Sequence, residues 1–148
     1  MRNFRFTVAI SILSFALGFG ITRAQDKTER DRLTTRAQEV NRTASKVGMK
    51  IALERVSTET GVPLEQVQTL HKQHPQAGAA GILLSCVMAD ETKQPAEQFL
   101  RNSSQKTWPK QAAENHVSVE KLIERLDRLE KAMAPSERNS EKPPPRKK

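Results

Sequence analysis

The chain has 148 residues and a mass of 16.6 kDa, with 36% hydrophobic, 28% charged and only 4% aromatic residues, which bounds it to one modest domain and excludes two large ones. Five Phe, one Trp and no Tyr supply little of the bulky apolar material that sandwiches and barrels need, whereas the abundant Ala, Leu, Gln, Glu, Lys and Arg favour helix. The formal charge of +8 sits mostly at the ends: residues 1–24 and 135–148 each contribute +3, and the body, 25–134, holds 17 basic against 15 acidic residues, too small an excess for a polyphosphate binder.

Met1 to Ala24 has the layout of a secretory signal peptide. Arg2 and Arg5 form a basic start, Phe6 to Thr22 is uncharged and mostly apolar, and Thr22-Arg23-Ala24 places small residues at the −3 and −1 positions. Cleavage after Ala24 would leave a mature chain of 124 residues beginning at Gln25, exported to the periplasm or secreted. The alternative is an uncleaved anchor, because 17 uncharged residues reach the lower edge of a spanning length; only then does the chain contact a membrane. No Cys lies near the cleavage site, which excludes a lipoprotein anchor. Cys86 is the only cysteine, so no intramolecular disulfide forms. Its apolar surroundings, Ile82 to Met88, predict an inert core thiol, with a cross-chain disulfide as the alternative.

Over residues 26–58, Leu33, Ala37, Val40, Ala44, Val47 and Ile51 follow a 4-3-4-3-4 spacing that predicts one long helix with a narrow apolar stripe. Ala44, Gly48 and Ala52 form a small-residue stripe that would let another helix approach closely. Gly61 then supplies a helix stop. Pro63 supplies the first turn of the next helix, which carries Leu64, Val67 and Leu70 and ends at His71-Lys72-Gln73-His74 before Pro75. A turn at Pro75-Gln76-Ala77-Gly78 leads into a helix holding Ile82, Leu83, Cys86 and Val87.

A shift of 32 positions aligns residues 57–88 with 89–120 at eight identities, five of them in the shared core Glu-Thr-x-x-Pro-x-Glu-Gln at Glu59 and at Glu91. This predicts two related helical hairpins. In the second copy Thr107 is the expected cap of a short helix starting at Trp108-Pro109. Ser118 is the expected cap of the last helix, 118–134, where Val119, Leu122, Leu126, Leu129 and Met133 follow a 3-4-3-4 spacing, with Glu124/Arg128 and Asp127/Lys131 as flanking pairs. That stripe closes the bundle core or pairs with a second copy, so Leu122, Leu126, Leu129 and Met133 are the candidate interaction residues of a homodimer. Residues 135–148, PSERNSEKPPPRKK, read as a disordered, solubilising basic tail whose end is suited to anionic lipid, cell-wall polymer or an acidic partner.

Both copies carry a helix-turn-helix-like spacing: Val56-Ser57, Gly61-Val62, Val67 and Leu70 in one, and Ala112, His116-Val117, Leu122 and Leu126 in the other. His116 in place of the usual Gly, and Pro63 early in the would-be recognition helix, depart from a DNA reader. The segments Glu59-Thr60-Gly61-Val62 and Trp108 to Val117, of the form Trp-x-x-x-Ala-x-x-x-x-Val, resemble those of a group of bacterial exported helical proteins of unknown function. The likeness covers about 80 residues and implies an all-helical fold without transferring an active site.

His71 and His74, three apart, share a metal-compatible helix spacing, and His116 or Cys86 would complete a copper or zinc set; the competing reading is that both decorate a helix end. Catalytic signatures are missing: there is no Gly-x-Ser-x-Gly, no phosphate loop and no His-Glu-x-x-His. Glu59 and Glu91 form an acid/base pair only if the fold faces them across a cleft. Trp108 reads as a core anchor before a sugar platform. The expectation is an all-α, non-enzymatic interaction or scaffold protein without a cofactor, exported to the periplasm or envelope, with a protein partner and no nucleic acid. Weak metal binding at His71 and His74 is one alternative, and DNA binding, should the N-terminus not be a signal, is the other.

Overall fold

The computed structural model describes residues 22–134; the expected tail, and the expected signal segment apart from its last three residues, lie outside the described residues. The fold is all-α. The helices are α1 (Thr22–Val47), α2 (Met49–Thr60), α3 (Leu64–Gln73), α4 (Gly78–Thr92, preceded by a 3-10 turn at Pro75–Ala77), α5 (Ala96–Asn102), α6 (Trp108–Glu114) and α7 (Val119–Met133), with no strand among the described residues.

α4 is the centre of the bundle because it is apolar on every side. Every residue from Ala79 to Met88 is buried, and α1, α2, α3, α5 and α7 all pack on this helix. Gly81 brings it close to α6: a Cβ there would lie 2.7 Å from the Ala77 Cβ and 3.3 Å from Cζ2 of the half-buried Trp108, which is the core anchor expected of that residue.

α1 packs most extensively on α7. Leu33, Ala37, Val40 and Ala44 bury the stripe of α1, and Leu122, Ile123, Leu126, Leu129 and Met133 bury that of α7, each large side chain contributing about 1.5–3 kcal/mol on burial. The two helices run parallel, since Arg32 meets Glu120 and, further along both, Thr43 meets Glu130.

The single helix expected over 26–58 is broken at Gly48. Its φ of 97° and ψ of 134° leave helical space, although the Gly48 N–H still donates to Ala44 (3.0 Å) and Ala52 N–H donates to the Gly48 carbonyl (3.1 Å). The stripe changes phase across the break, so α2 buries Ala52, Leu53 and Val56, while Ile51 is 46% exposed. Gly48 is not part of a close-approach stripe: a Cβ there meets nothing within 4 Å, and its role is the positive φ.

Three helix junctions share one backbone path, in which a left-handed residue, one linking residue and an extended cap lead into the next helix. They are Gly61-Val62-Pro63, Lys93-Gln94-Pro95 and His116-Val117-Ser118, with φ of 73°, 59° and 56° at the first residue of each. In the first two, the Thr60 and Thr92 hydroxyls donate to the carbonyls of Val56 and Met88 (2.8 and 2.7 Å) and accept from the N–H of Val62 and Gln94 (both 3.3 Å). The repeated Glu-Thr-x-x-Pro motif is thus a junction. Beyond it the copies differ: α3 and α4 have 10 and 15 residues, α5 and α6 only seven each. Pro63 and Pro95 stand at the caps, one residue before the first turns expected to hold them.

Candidate functional site

The two repeat-equivalent glutamates are held by one face of α7. At the end of α2, Arg125 Nη1 donates to Glu59 Oε1 (2.7 Å) and to the Glu59 carbonyl (3.1 Å), with Arg128 3.8 Å away. At the end of α4, Lys121 Nζ donates to Glu91 Oε1 at 2.5 Å. Lys121 and Arg125 are one helical turn apart, so they clamp two successive junctions and place a cation where α2 presents its terminal carbonyl. The acid/base arrangement considered for Glu59 and Glu91 is replaced by two cation clamps.

The other polar face of α7 is joined to α1 through Arg36. Its guanidinium donates to Glu39 (2.7 Å) and to Asp127, and pairs with Glu130 at 2.6 Å. Thr43 also donates to Glu130 (3.2 Å). Hydrogen bonds to Glu39 and then Asp127 hold the Arg36 pKa above its already high ordinary value, so this charge is permanent. Glu124 and Arg128 form the expected pair at 2.5 Å, but Asp127 turns across the helix interface to Nε of Arg36 instead of the expected Lys131, completing a guanidinium whose other two nitrogens meet Glu39 and Glu130.

His71 lies in the last turn of α3, half-buried, with Nδ1 buried and unpartnered. His74 caps the helix, its N–H donating to the Leu70 carbonyl at 2.9 Å. Among the described residues no group of three or more His, Cys, Asp or Glu gathers for a metal, so neither His116, at the α6–α7 junction, nor Cys86 completes a set with them. Cys86 is 4% exposed, and burial pushes its thiol up to about 11, the inert core cysteine that its neighbours predicted.

Leu122, Leu126 and Leu129 are fully buried and Met133 is 4% exposed, so α1, α2 and α4 already cover the stripe offered as a homodimer face. Of the helix-turn-helix-like pairs, α6–α7 places three of its five cations, Lys121, Arg125 and Arg128, in ion pairs, and α3 carries Glu65 in its first turn. The caps differ in use. Ser118 Oγ accepts from Lys121 N–H at 3.4 Å, as expected, whereas Thr107 occupies the cap of α6 without a side-chain bond.

Asn41 is a positioning residue that sequence reasoning missed. From the middle of α1 its Oδ1 accepts from Ala80 N–H (2.9 Å) and its Nδ2 donates to the Ala77 carbonyl (3.5 Å), capping α4 from another helix. α4 has no side-chain cap of its own, and that lack, together with an Asn inside a helix, is the available signal.

No family model matches the chain, nor does any curated protein or solved structure, so the resemblance to exported helical proteins rests on its two short motifs.

Proposed function

We propose that the protein is an exported, non-enzymatic helical interaction or scaffold protein of the periplasm or cell envelope. One observation carries this reading: the side chains best suited to chemistry are used as fasteners between helices. Glu59 and Glu91 are clamped by α7, Arg36 ties α1 to α7, and Cys86 lies in the core. A frame so fastened is suited to holding a surface in place for a partner, and the signal-like layout of residues 1–24 supplies the address. The deciding measurement is the mass and N-terminus of the protein from its own cell fractions, followed by crosslinking in the envelope. A chain beginning at Gln25 that crosslinks to a defined protein is expected. A full-length soluble chain in the cytoplasm would overturn the address, and a mature chain that stays monomeric and crosslinks to nothing would overturn the role.

A second reading, weak copper or zinc binding, is favoured by His71 in the last turn of α3 and His74 at its C-cap standing three residues apart, with Nδ1 of His71 unpartnered. It predicts zinc retention that is lost in the His71→Gln/His74→Gln variant.

A further inference from the structure

Two features near the Gly48 break work against folding alone. Lys50 places a cation in the first turn of α2, where the helix dipole disfavours it. Beside it, Ile51 is the one exposed large hydrophobic side chain among the described residues, at 46%. Both lie in a cationic stretch of the chain. From Val40 to Leu53 the chain has three cations, Arg42, Lys46 and Lys50, and no acid. These three and Lys131 are exposed and form no ion pair among the described residues, and the nearest following carboxylate is the exposed Glu54, one turn beyond Lys50. Arg42 and Lys46 are one turn apart on α1, four residues of chain keep Lys50 within about 15 Å of Lys46, and Lys46 and Lys131 line the same groove. That groove's carboxylates, Asp127 and Glu130, are both engaged by Arg36. Ala134 lines it too, and the chain continues from there for 14 residues that end Arg146-Lys147-Lys148.

We infer that this end of the bundle, centred on Arg42, Lys46, Lys50 and Ile51, docks on an anionic lipid bilayer surface. Unpaired lysines with free aliphatic stems gain from a sheet of negative headgroups, and an exposed Ile among them gains from the acyl boundary. A soluble polyanion would use the cations but has no site for the Ile. The inference deepens the envelope-interaction reading and rests on it.

The test uses purified full-length protein and vesicles of phosphatidylcholine with or without about one third phosphatidylglycerol. Residues 1–24 would anchor to either vesicle, so the readout is the ratio of anionic to neutral binding. Lys46→Gln/Lys50→Gln should lower that ratio about tenfold or more, while Lys72→Gln/Lys110→Gln, which removes the same charge elsewhere, should leave it within about twofold. Ile51→Ser should weaken anionic-vesicle binding by a factor that salt does not change, because apolar insertion is not screened. All five sites are exposed, and unchanged circular dichroism confirms the fold. Equal losses in both lysine pairs, no loss in either, or soluble polyglutamate binding with the same lysine dependence in place of vesicles would each overturn the inference. Export failing would instead appear in the N-terminus measurement and leave the vesicle ratios as they are.

Discussion

Asn41 and Gly78 meet at the start of α4, and each constrains the other. Gly78 has a φ of 63°, and a Cβ there would lie 2.5 Å from Asn41 Oδ1. Asn41→Ala should cost about 1–2 kcal/mol through the lost cap. Gly78→Ala should cost about 2 kcal/mol or more, since it adds a displaced Asn41 to the left-handed strain. The double variant should cost less than the sum, and urea unfolding of all four proteins measures the difference. Cys86 makes a second prediction. Its folded pKa of about 11 is raised from an ordinary 9.0 by burial, so the unfolded chain loses its proton first, and stability is full below about pH 9 and falls as pH rises towards 11. At about 1.4 kcal/mol per pKa unit the loss approaches roughly 2–3 kcal/mol. Cys86→Ala removes this slope, so the gap between the two proteins in urea midpoint should shrink from pH 8 to pH 10.5. Cys86 was legible because its neighbours are apolar and a buried thiol needs no partner. Asn41 was not, because its partners lie 36 and 39 residues away.

At the level of elements, the clamps on α7 are the features with the most direct test. Glu59 and Arg125 are 19% and 28% exposed, so the pair is partly shielded from solvent, and Arg125→Met should destabilise by about 1–2 kcal/mol because it also frees the Glu59 carbonyl. Glu91 and Lys121, at 35% and 45%, are more screened, and Lys121→Met should cost less than about 1 kcal/mol. Thermal unfolding of the two variants should therefore separate them in that order. The repeat that contains both glutamates was visible as identities, yet what it encodes is the turn between helices, with Thr60 and Thr92 making matched bonds. Spacing alone suggested hairpins, since a motif fixes a local path and leaves helix length to the residues that follow. Gly48 was misread for a related reason. A glycine four residues from two alanines fits a close-packing stripe and a chain break equally well, and only its φ of 97° distinguishes them.

For the whole molecule, the apolar stripes of α1 and α7 were both legible, but not that each is the other's main partner. The periodicity of Leu33 to Ala44 and of Leu122 to Met133 reports that a face is buried and carries no information on what buries it. In the structure Leu126 is fully buried, so Leu126→Asp should abolish cooperative unfolding, whereas an interface residue would change only the mass in solution; light scattering with circular dichroism separates the two outcomes. The parallel pairing of the first and last helices has a consequence for synthesis. Arg32 and Thr43 find their partners 88 and 87 residues later, so at about 5–20 residues per second α1 waits roughly 4–18 s before its principal neighbour leaves the ribosome. Throughout that interval the nascent chain has no complete native state to fall into, a delay that would favour threading it across a bilayer as an open polymer.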